Sequence, residues 1–224
     1  MTELTVEELV DQLNAGSRAI LQVRHGERPK MSPDDVTFGE AIALTGEGVR
    51  TARLLGRKLA AFRGSARYLA SPLRRTRMTA ALIAEGRGEA ASEVDVEPRL
   101  GNDSFYFADR QLVRRAFAAE GFFTVCERYF ERGEEPGFRS LKTATDELEA
   151  FLRARWTAPL LIAATHDCYV AGFISARTRG EIVRKATWTR FLDGGALIER
   201  PDGTRTYALV RAGLSEGICG VESR

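Results

Sequence analysis

Cysteine and histidine are scarce in this chain of 224 residues, which holds three cysteines and two histidines. Cys126, Cys168 and Cys219 are odd in number and far apart, so the sequence shows neither a disulfide framework nor metal-ligand spacing. We therefore expect a reduced, cytoplasmic setting and no metal site.

Long apolar runs are also absent, since no stretch approaches the roughly 20 residues needed to cross a bilayer. Residues 1–16 are acidic and amphipathic, and we expect no signal peptide. Lys and Arg number 33 against 31 for Asp and Glu, a net charge of +2. This balance gives no reason to expect nucleic acid or a membrane as a partner. No distinctive interface stripe is present, which leaves the oligomeric state open.

Short apolar segments alternate with amphipathic ones along the chain, which is typical of an α/β sheet covered by helices on both faces. We predict a three-layer α/β/α sandwich with a mostly parallel central sheet. Strands are predicted at residues 18–23, 66–71, 92–97, 159–165, 194–200 and 204–211. Helices are predicted after a Thr5–Glu8 capping box, over 44–62, after Pro72, over 108–131 with a break near Gly121, and over 141–156.

The chain shows no internal repeat, low-complexity segment or clear linker. We therefore interpret residues 1–224 as a single domain. The polar and aromatic residues 98–140 are predicted to form an insertion over the sheet and its active site.

Side chains that can bind a ligand or take part in catalysis follow three of the predicted strands. The first strand ends in RHG (residues 24–26), the second in SPLRR (71–75), and the apolar strand at 159–165 ends next to His166 and Asp167. In open α/β sheets ligands bind outside the carboxyl ends of the strands, so both histidines and several arginines are expected at one site. Arg28 can join them from the first loop.

Arginine and histidine together fit phosphoryl transfer. Guanidinium groups bind phosphate oxygens in pairs, and nearby cations lower the pKa of a histidine. A neutral His25 could then attack phosphorus and carry the phosphoryl group covalently, while arginines and His166 stabilise the developing charge. Either histidine alone would more often be structural; two at apolar strand ends favour function.

These residues resemble the histidine phosphatase superfamily, which contains phosphoglycerate mutases, small phosphatases, acid phosphatases and phytases. Its Arg-His-Gly triplet corresponds to residues 24–26, and its Leu-Thr-x-x-Gly helix start to residues 44–48. SPLRRTRMTA (71–80) and ATHD (164–167) are similar to two further motifs of the family. The four matches occur in order over about two thirds of the chain.

The resemblance implies roles for matching residues. His25 would be the nucleophile, with Arg24, Arg75 and His166 binding the phosphoryl group. The motif alignment selects Arg75 rather than Arg74. Arg28 corresponds to the last residue of the Arg-His-Gly-x-Arg motif of the acid phosphatase branch.

The proton donor stays open between two aspartates. Mutase-like members carry a glutamate where this chain has Asn102, and Asp103 lies one position later. The acid phosphatase branch carries His-Asp at the second histidine, as in His166–Asp167. We favour Asp167 and keep Asp103 as the alternative donor, with Glu27 a third candidate.

The resemblance implies a metal-independent phosphomonoester hydrolase that needs no cofactor and acts on a small phosphorylated metabolite, with a sugar phosphate as the default substrate. One alternative is a phosphoglycerate mutase-like phosphotransferase, which Asn102 argues against. The other is a non-catalytic phosphate-binding protein, which would be expected to lack a pocket residue. The aromatic segment 103–110 is interpreted either as a wall of the pocket or as ordinary core packing.

Overall fold

A seven-stranded sheet lies at the centre of the part of the chain that the computed structural model describes, namely residues 1–32, 35, 37, 39–90, 94–101, 104–178 and 181–215. Its strands are β1 (Glu3–Thr5), β2 (Arg18–Arg24), β3 (Ala66–Ala70), β4 (Val94–Val96), β5 (Leu160–Thr165), β6 (Gly194–Glu199) and β7 (Arg205–Arg211). Their order across the sheet is β1-β7-β6-β2-β5-β3-β4.

The sheet is mostly parallel, as predicted. Strands β2, β3, β4 and β5 pair in parallel, and only β6 runs against its neighbours β2 and β7 within the described sheet. All six predicted strands are confirmed with small shifts of their ends. Strand β1, which pairs in parallel with β7 at the sheet edge, was not predicted.

Seven α-helices cover the sheet in the described residues. They are α1 (Val6–Asn14), α2 (Gly46–Leu59), α3 (Arg74–Arg87), α4 (Arg110–Glu120), α5 (Phe122–Arg132), α6 (Leu141–Ala154) and α7 (Asp167–Arg177). The predicted break at Gly121 separates α4 from α5. The capping box of α1 is also present, with Thr5 Oγ1 accepting from the Glu8 amide at 3.1 Å. No helix in these ranges is long and apolar enough to cross a membrane.

Two hydrophobic cores occupy opposite faces of the sheet. One is built mainly from α1, α2 and α3 against the sheet, and the other from α5, α6 and α7. Alternation along β2 divides its side chains between the cores, because Leu21 joins the first and Ile20 the second. Helix α7 is buried over seven consecutive residues from Tyr169 to Ser175, as expected for a helix that lies inside a protein. The three-layer α/β/α architecture is confirmed.

Helices α2 and α3 approach each other through glycines. A Cβ at Gly56 would overlap the carbonyl oxygen of Ile83, and a Cβ at Gly86 would overlap that of Arg53. These two glycines therefore let the backbones touch. The contact matters for the site described below because α3 begins at Arg74, next to a predicted phosphate ligand.

We predict that Gly56→Ala lowers the free energy of unfolding by about 1–3 kcal/mol, because the added methyl group must push α2 and α3 apart. Gly46, in the first turn of the same helix, is the matched control: nothing lies within 4 Å of a Cβ placed there. Urea denaturation of both variants measures the difference. Equal stabilities would show that the helices separate without cost.

Candidate active site

The register of the central strands places the two histidines side by side. Arg24 at the end of β2 pairs with Thr165 at the end of β5, so the next residues, His25 and His166, leave the sheet together. The His25 amide donates to the Thr165 carbonyl oxygen at 3.0 Å, which extends the pairing by one residue. The imidazole centroids lie 5.6 Å apart. The predicted meeting of both histidines is therefore observed.

His25 is buried, and its hydrogen bond selects a tautomer. Its Nδ1 lies 2.8 Å from the Gly26 carbonyl oxygen, which can only accept, so Nδ1 carries the proton and Nε2 keeps its lone pair. Burial, followed by the positive charge of Arg75, holds the pKa of His25 well below its usual 6.5. The ring is thus neutral at pH 7, and its Nε2 lone pair is available.

His166 occupies the N-cap position of α7, without a capping hydrogen bond from its side chain, and shares this electrostatic environment. Its Nε2 lies 3.2 Å from the hydroxyl oxygen of Ser71, which in turn lies 2.6 Å from the hydroxyl oxygen of Thr76. Burial and the charge of Arg75 hold the pKa of His166 well below 6.5. Both imidazoles are therefore neutral beside cationic guanidinium groups.

Arg24 is held from three directions. Its Nη1 donates to the carbonyl oxygen of Thr189, its Nη2 lies 3.2 Å from Asp167 Oδ2, and its guanidinium stands 4.3 Å from the ring centroid of Phe191. Only 2% of Arg24 is exposed. Such a fixed guanidinium can bind an anion with little loss of side-chain entropy.

Arg75 lies in the first turn of α3, where its Nη1 donates to the Gly39 carbonyl oxygen at 2.6 Å. Burial lowers its pKa to about 10, so the side chain is still a cation at neutral pH. Arg75 is buried whereas Arg74 is exposed. The sequence motif had selected Arg75 of the two, and Arg75 is the one that lines the cavity.

Helix α3 also contacts the loop that follows β2 and contains His25, which we call the histidine loop. Thr79 Oγ1 donates to the Arg75 carbonyl oxygen at 2.7 Å and accepts from the Gly26 amide at 3.0 Å. The Leu-Thr-x-x-Gly segment also packs here, since a Cβ at Gly48 would overlap the Glu27 carbonyl oxygen. The position of the His25 loop therefore depends on α2 and α3 together.

One cavity of about 420 Å³ is lined by the two histidines together with Arg24 and Arg75. The structure brings six of the predicted site residues together on its wall. They are Arg24, His25, Arg28, Arg75, His166 and Asp167.

The three candidate proton donors differ in their surroundings. Asp167 lies on the cavity wall, where its Oδ2 is 3.4 Å from Trp188 Nε1 in addition to its contact with Arg24. Asp103 lies outside the described residues. The Glu27 carboxylate instead accepts a hydrogen bond from Thr45 Oγ1 at 2.7 Å at the start of α2.

Residues 188–193 hold Arg24, and the sequence interpretation missed them. The Leu192 amide donates to the Arg24 carbonyl oxygen at 3.2 Å, and Leu192 itself has a φ of 70°. That conformation is costly for a leucine and persists only where the surroundings enforce it. Asp193, 2% exposed, accepts from Arg211 of β7 at 2.8 Å and fixes the end of the segment.

Comparison with known proteins agrees with this fold. Residues 20–109 match the model of the histidine phosphatase superfamily, branch 1. A search of curated proteins finds no match. A mycobacterial glucosyl-3-phosphoglycerate phosphatase in complex with VO3 is similar in structure, with 19% identity, coverage of 86% of this chain and 97% of the other, and a TM-score of 0.55.

Two further solved structures share the fold. The ecdysone phosphate phosphatase from Bombix mori in complex with tungstate has 17% identity, coverage of 92% and 97%, and a TM-score of 0.51. The protein histidine phosphatase SixA in complex with tungstate has 15% identity, coverage of 84% and 93%, and a TM-score of 0.50. Residues 20–109 are therefore similar to the histidine phosphatase superfamily, and the titles of these structural neighbours, which share the fold, describe phosphatases.

The lowered pKa values of the histidines predict how stability depends on pH. In the unfolded chain each histidine takes up a proton near pH 6.5, whereas in the folded protein His25 and His166 do so only well below it. The unfolded state therefore binds more protons in that window, and stability present above pH 6.5 is lost as the pH falls.

We expect His25→Asn and His166→Asn each to flatten this loss, by up to about 1.4 kcal/mol per pH unit below pH 6.5. Urea denaturation of the three proteins from pH 8 to pH 5 measures the difference. The chain has no histidine besides these two, so the titration of its other groups contributes equally to the wild type and the variants. A difference between wild type and variants that stays constant across the range would contradict the lowered pKa values.

Proposed function

We propose that the protein is a metal-independent phosphomonoester hydrolase that works through a phosphohistidine on His25. One observation carries the proposal: a buried, neutral imidazole with an unprotonated Nε2 lies in the same cavity as Arg24 and Arg75. Neutral imidazole is the nucleophilic form, and guanidinium groups stabilise the charge on the transferring phosphoryl group without proton exchange.

In the first step the Nε2 lone pair of His25 forms a bond to phosphorus while the bond from phosphorus to the ester oxygen breaks. The leaving oxygen takes the electron pair and a proton from the carboxyl group of Asp167. Arg24, Arg75, His166 and Arg28 bind the phosphoryl oxygens during this transfer. His166 can serve as a neutral donor because the one hydrogen bond between its Nε2 and the Ser71 hydroxyl group is compatible with either tautomer of the ring.

In the second step a water molecule attacks phosphorus and gives a proton to the Asp167 carboxylate. The bond between phosphorus and Nε2 breaks, its electron pair returns to the imidazole, and inorganic phosphate leaves. The carboxyl group and the neutral histidine are both restored, so the cycle closes without a cofactor. Asp103 is the alternative for the same two proton transfers.

The structural neighbours support the same class of ligand. Their titles describe a glucosyl-3-phosphoglycerate phosphatase with VO3, and an ecdysone phosphate phosphatase and SixA with tungstate. These oxyanions resemble a phosphoryl group in shape and charge. We infer that vanadate occupies the cavity of this protein and competes with substrate.

We expect wild-type protein to hydrolyse p-nitrophenyl phosphate in the presence of EDTA and to form an acid-labile phosphoprotein when the reaction is quenched. His25→Ala should lose both activities, because no other group replaces the Nε2 lone pair. Phosphopeptide mapping under alkaline conditions identifies the modified residue.

Arg75→Ala and Arg74→Ala form a matched pair for the same assay. Arg75→Ala should lower kcat/KM at least 100-fold, whereas exposed Arg74 should be replaceable with little effect. Activity that requires a bisphosphorylated primer would indicate a mutase. Phosphate binding without any turnover would indicate a binding protein. Either result would overturn the hydrolase assignment.

Asp167→Asn tests the proton donor. Loss of the acid should slow esters of alkyl alcohols by about 10²- to 10⁴-fold, while p-nitrophenolate leaves without a proton and its release should slow far less. A leaving-group series from p-nitrophenyl to ethyl phosphate, measured for both proteins, gives the two slopes. Equal slowing of all esters would assign the donor role to another residue and leave Asp167 with the positioning of Arg24.

A further inference from the structure

Part of the cavity wall is built from phenylalanine. Four rings line it, and we call them the phenylalanine wall: Phe107, Phe117, Phe122 and Phe123. Three of the four belong to α4 and α5, inside the predicted insertion at residues 98–140. All four are half-buried. Each ring therefore packs on the core with part of its surface and leaves the rest accessible.

Contacts between rings fix this wall. Phe122 lies 5.0 Å from Phe117 and 5.3 Å from Phe123 in edge-to-face arrangements. The indole of Trp188 supports both rings of α5, at 5.5 Å from Phe122 and 5.1 Å from Phe123. Phe107 packs separately on Phe138 at 5.2 Å. The apolar surface is thus held in place before a ligand arrives, which reduces the entropic cost of binding.

The described lining offers little to the hydroxyl groups of a sugar. Beyond the proposed phosphate ligands, its charged side chains are Lys30, Arg110 and Asp167. The two cations donate hydrogen bonds and cannot accept them, while Asp167 already contacts Trp188 and Arg24. The Tyr169 hydroxyl already donates to the Gly101 carbonyl oxygen at 3.0 Å. No asparagine, glutamine, serine or threonine is among the described lining residues. Hydroxyl groups placed against the rings would lose water without gaining partners.

We propose that the phenylalanine wall binds the alcohol part of the substrate and that this part is apolar, so the enzyme prefers phosphate esters of aryl or alkyl alcohols to sugar phosphates. The proposal rests on the hydrolase function proposed above. It revises the sugar phosphate expected from the sequence. Burial of apolar surface against the rings supplies the selectivity. The arginines and histidines bind the phosphoryl group in the same way in every ester, so they do not contribute to it.

The first experiment compares 2-phenylethyl phosphate with glucose 6-phosphate on wild-type protein. Both release a primary alkoxide, so the comparison isolates the alcohol part from leaving-group activation. We expect kcat/KM to be at least tenfold higher for the phenylethyl ester. An equal or higher value for glucose 6-phosphate would overturn the proposal and make the phenylalanine wall core packing alone.

Phe122→Ala should reduce this preference about tenfold, mainly through a higher KM, because the ring contacts substrate and transition state alike. Phe151→Ala is the matched control, since Phe151 is also half-buried but does not line the cavity. Circular dichroism and thermal denaturation establish that both variants fold. A preference that survives in folded Phe122→Ala would count against the wall.

Binding gives a readout that needs no catalysis. In wild type and in His25→Ala, 2-phenylethylphosphonate should bind at least tenfold more tightly than methylphosphonate. If wild-type protein fails to hydrolyse p-nitrophenyl phosphate but still binds 2-phenylethylphosphonate more tightly, the hydrolase function is rejected and the apolar site is retained. Hydrolysis with equal phosphonate affinities would keep the hydrolase and reject the apolar site.

Discussion

Positive charge concentrated at the carboxyl edge of the sheet is the constraint on which the rest of the site depends. Five cationic side chains line the cavity against one carboxylate, Asp167, among the described lining residues. Burial and these cations both penalise imidazolium, so His25 and His166 are neutral. In the proposed mechanism the same charge would both bind the phosphoryl group and keep the proposed nucleophile in its neutral form.

Such a cluster repels itself, and the surrounding backbone must hold it together. Arg24 donates to the Thr189 carbonyl oxygen and Arg75 to that of Gly39, so carbonyl dipoles offset part of the repulsion. Hydroxyl groups do the remaining positioning, as Thr79 does between α3 and the histidine loop. The core folds because of apolar burial, and a small number of polar contacts then set the geometry of the site.

Elements with a short continuous apolar run or a helical period could be predicted from the sequence, and elements without a distinctive pattern could not. Strands β2 and β5 are continuous apolar runs, and α1 has a capping box and a helical stripe. Helix α7 was missed because it is apolar on every side, so no 3.6-residue period distinguishes it. Strand β1 was missed because three residues carry no pattern, and its pairing with β7 depends on the other end of the chain.

The candidate site shows the same division. Arg24, His25 and Arg75 could be predicted because each lies in a short sequence motif. These motifs occur at strand ends and at the start of a helix. The contacts that Trp188 and Phe191 make with the site could not be predicted from the sequence, because only the fold brings residues 188–193 against β2.

The proposed acid also depends on a contact between distant parts of the chain. Asp167 Oδ2 lies 3.2 Å from Arg24 Nη2, so the proposed proton donor and a proposed phosphate ligand are in contact. A bound phosphoryl group would contact the same guanidinium, because Arg24 lines the cavity beside His25. In the proposed mechanism Arg24 acts on both groups, so an Arg24 variant would disturb phosphate binding and proton transfer together.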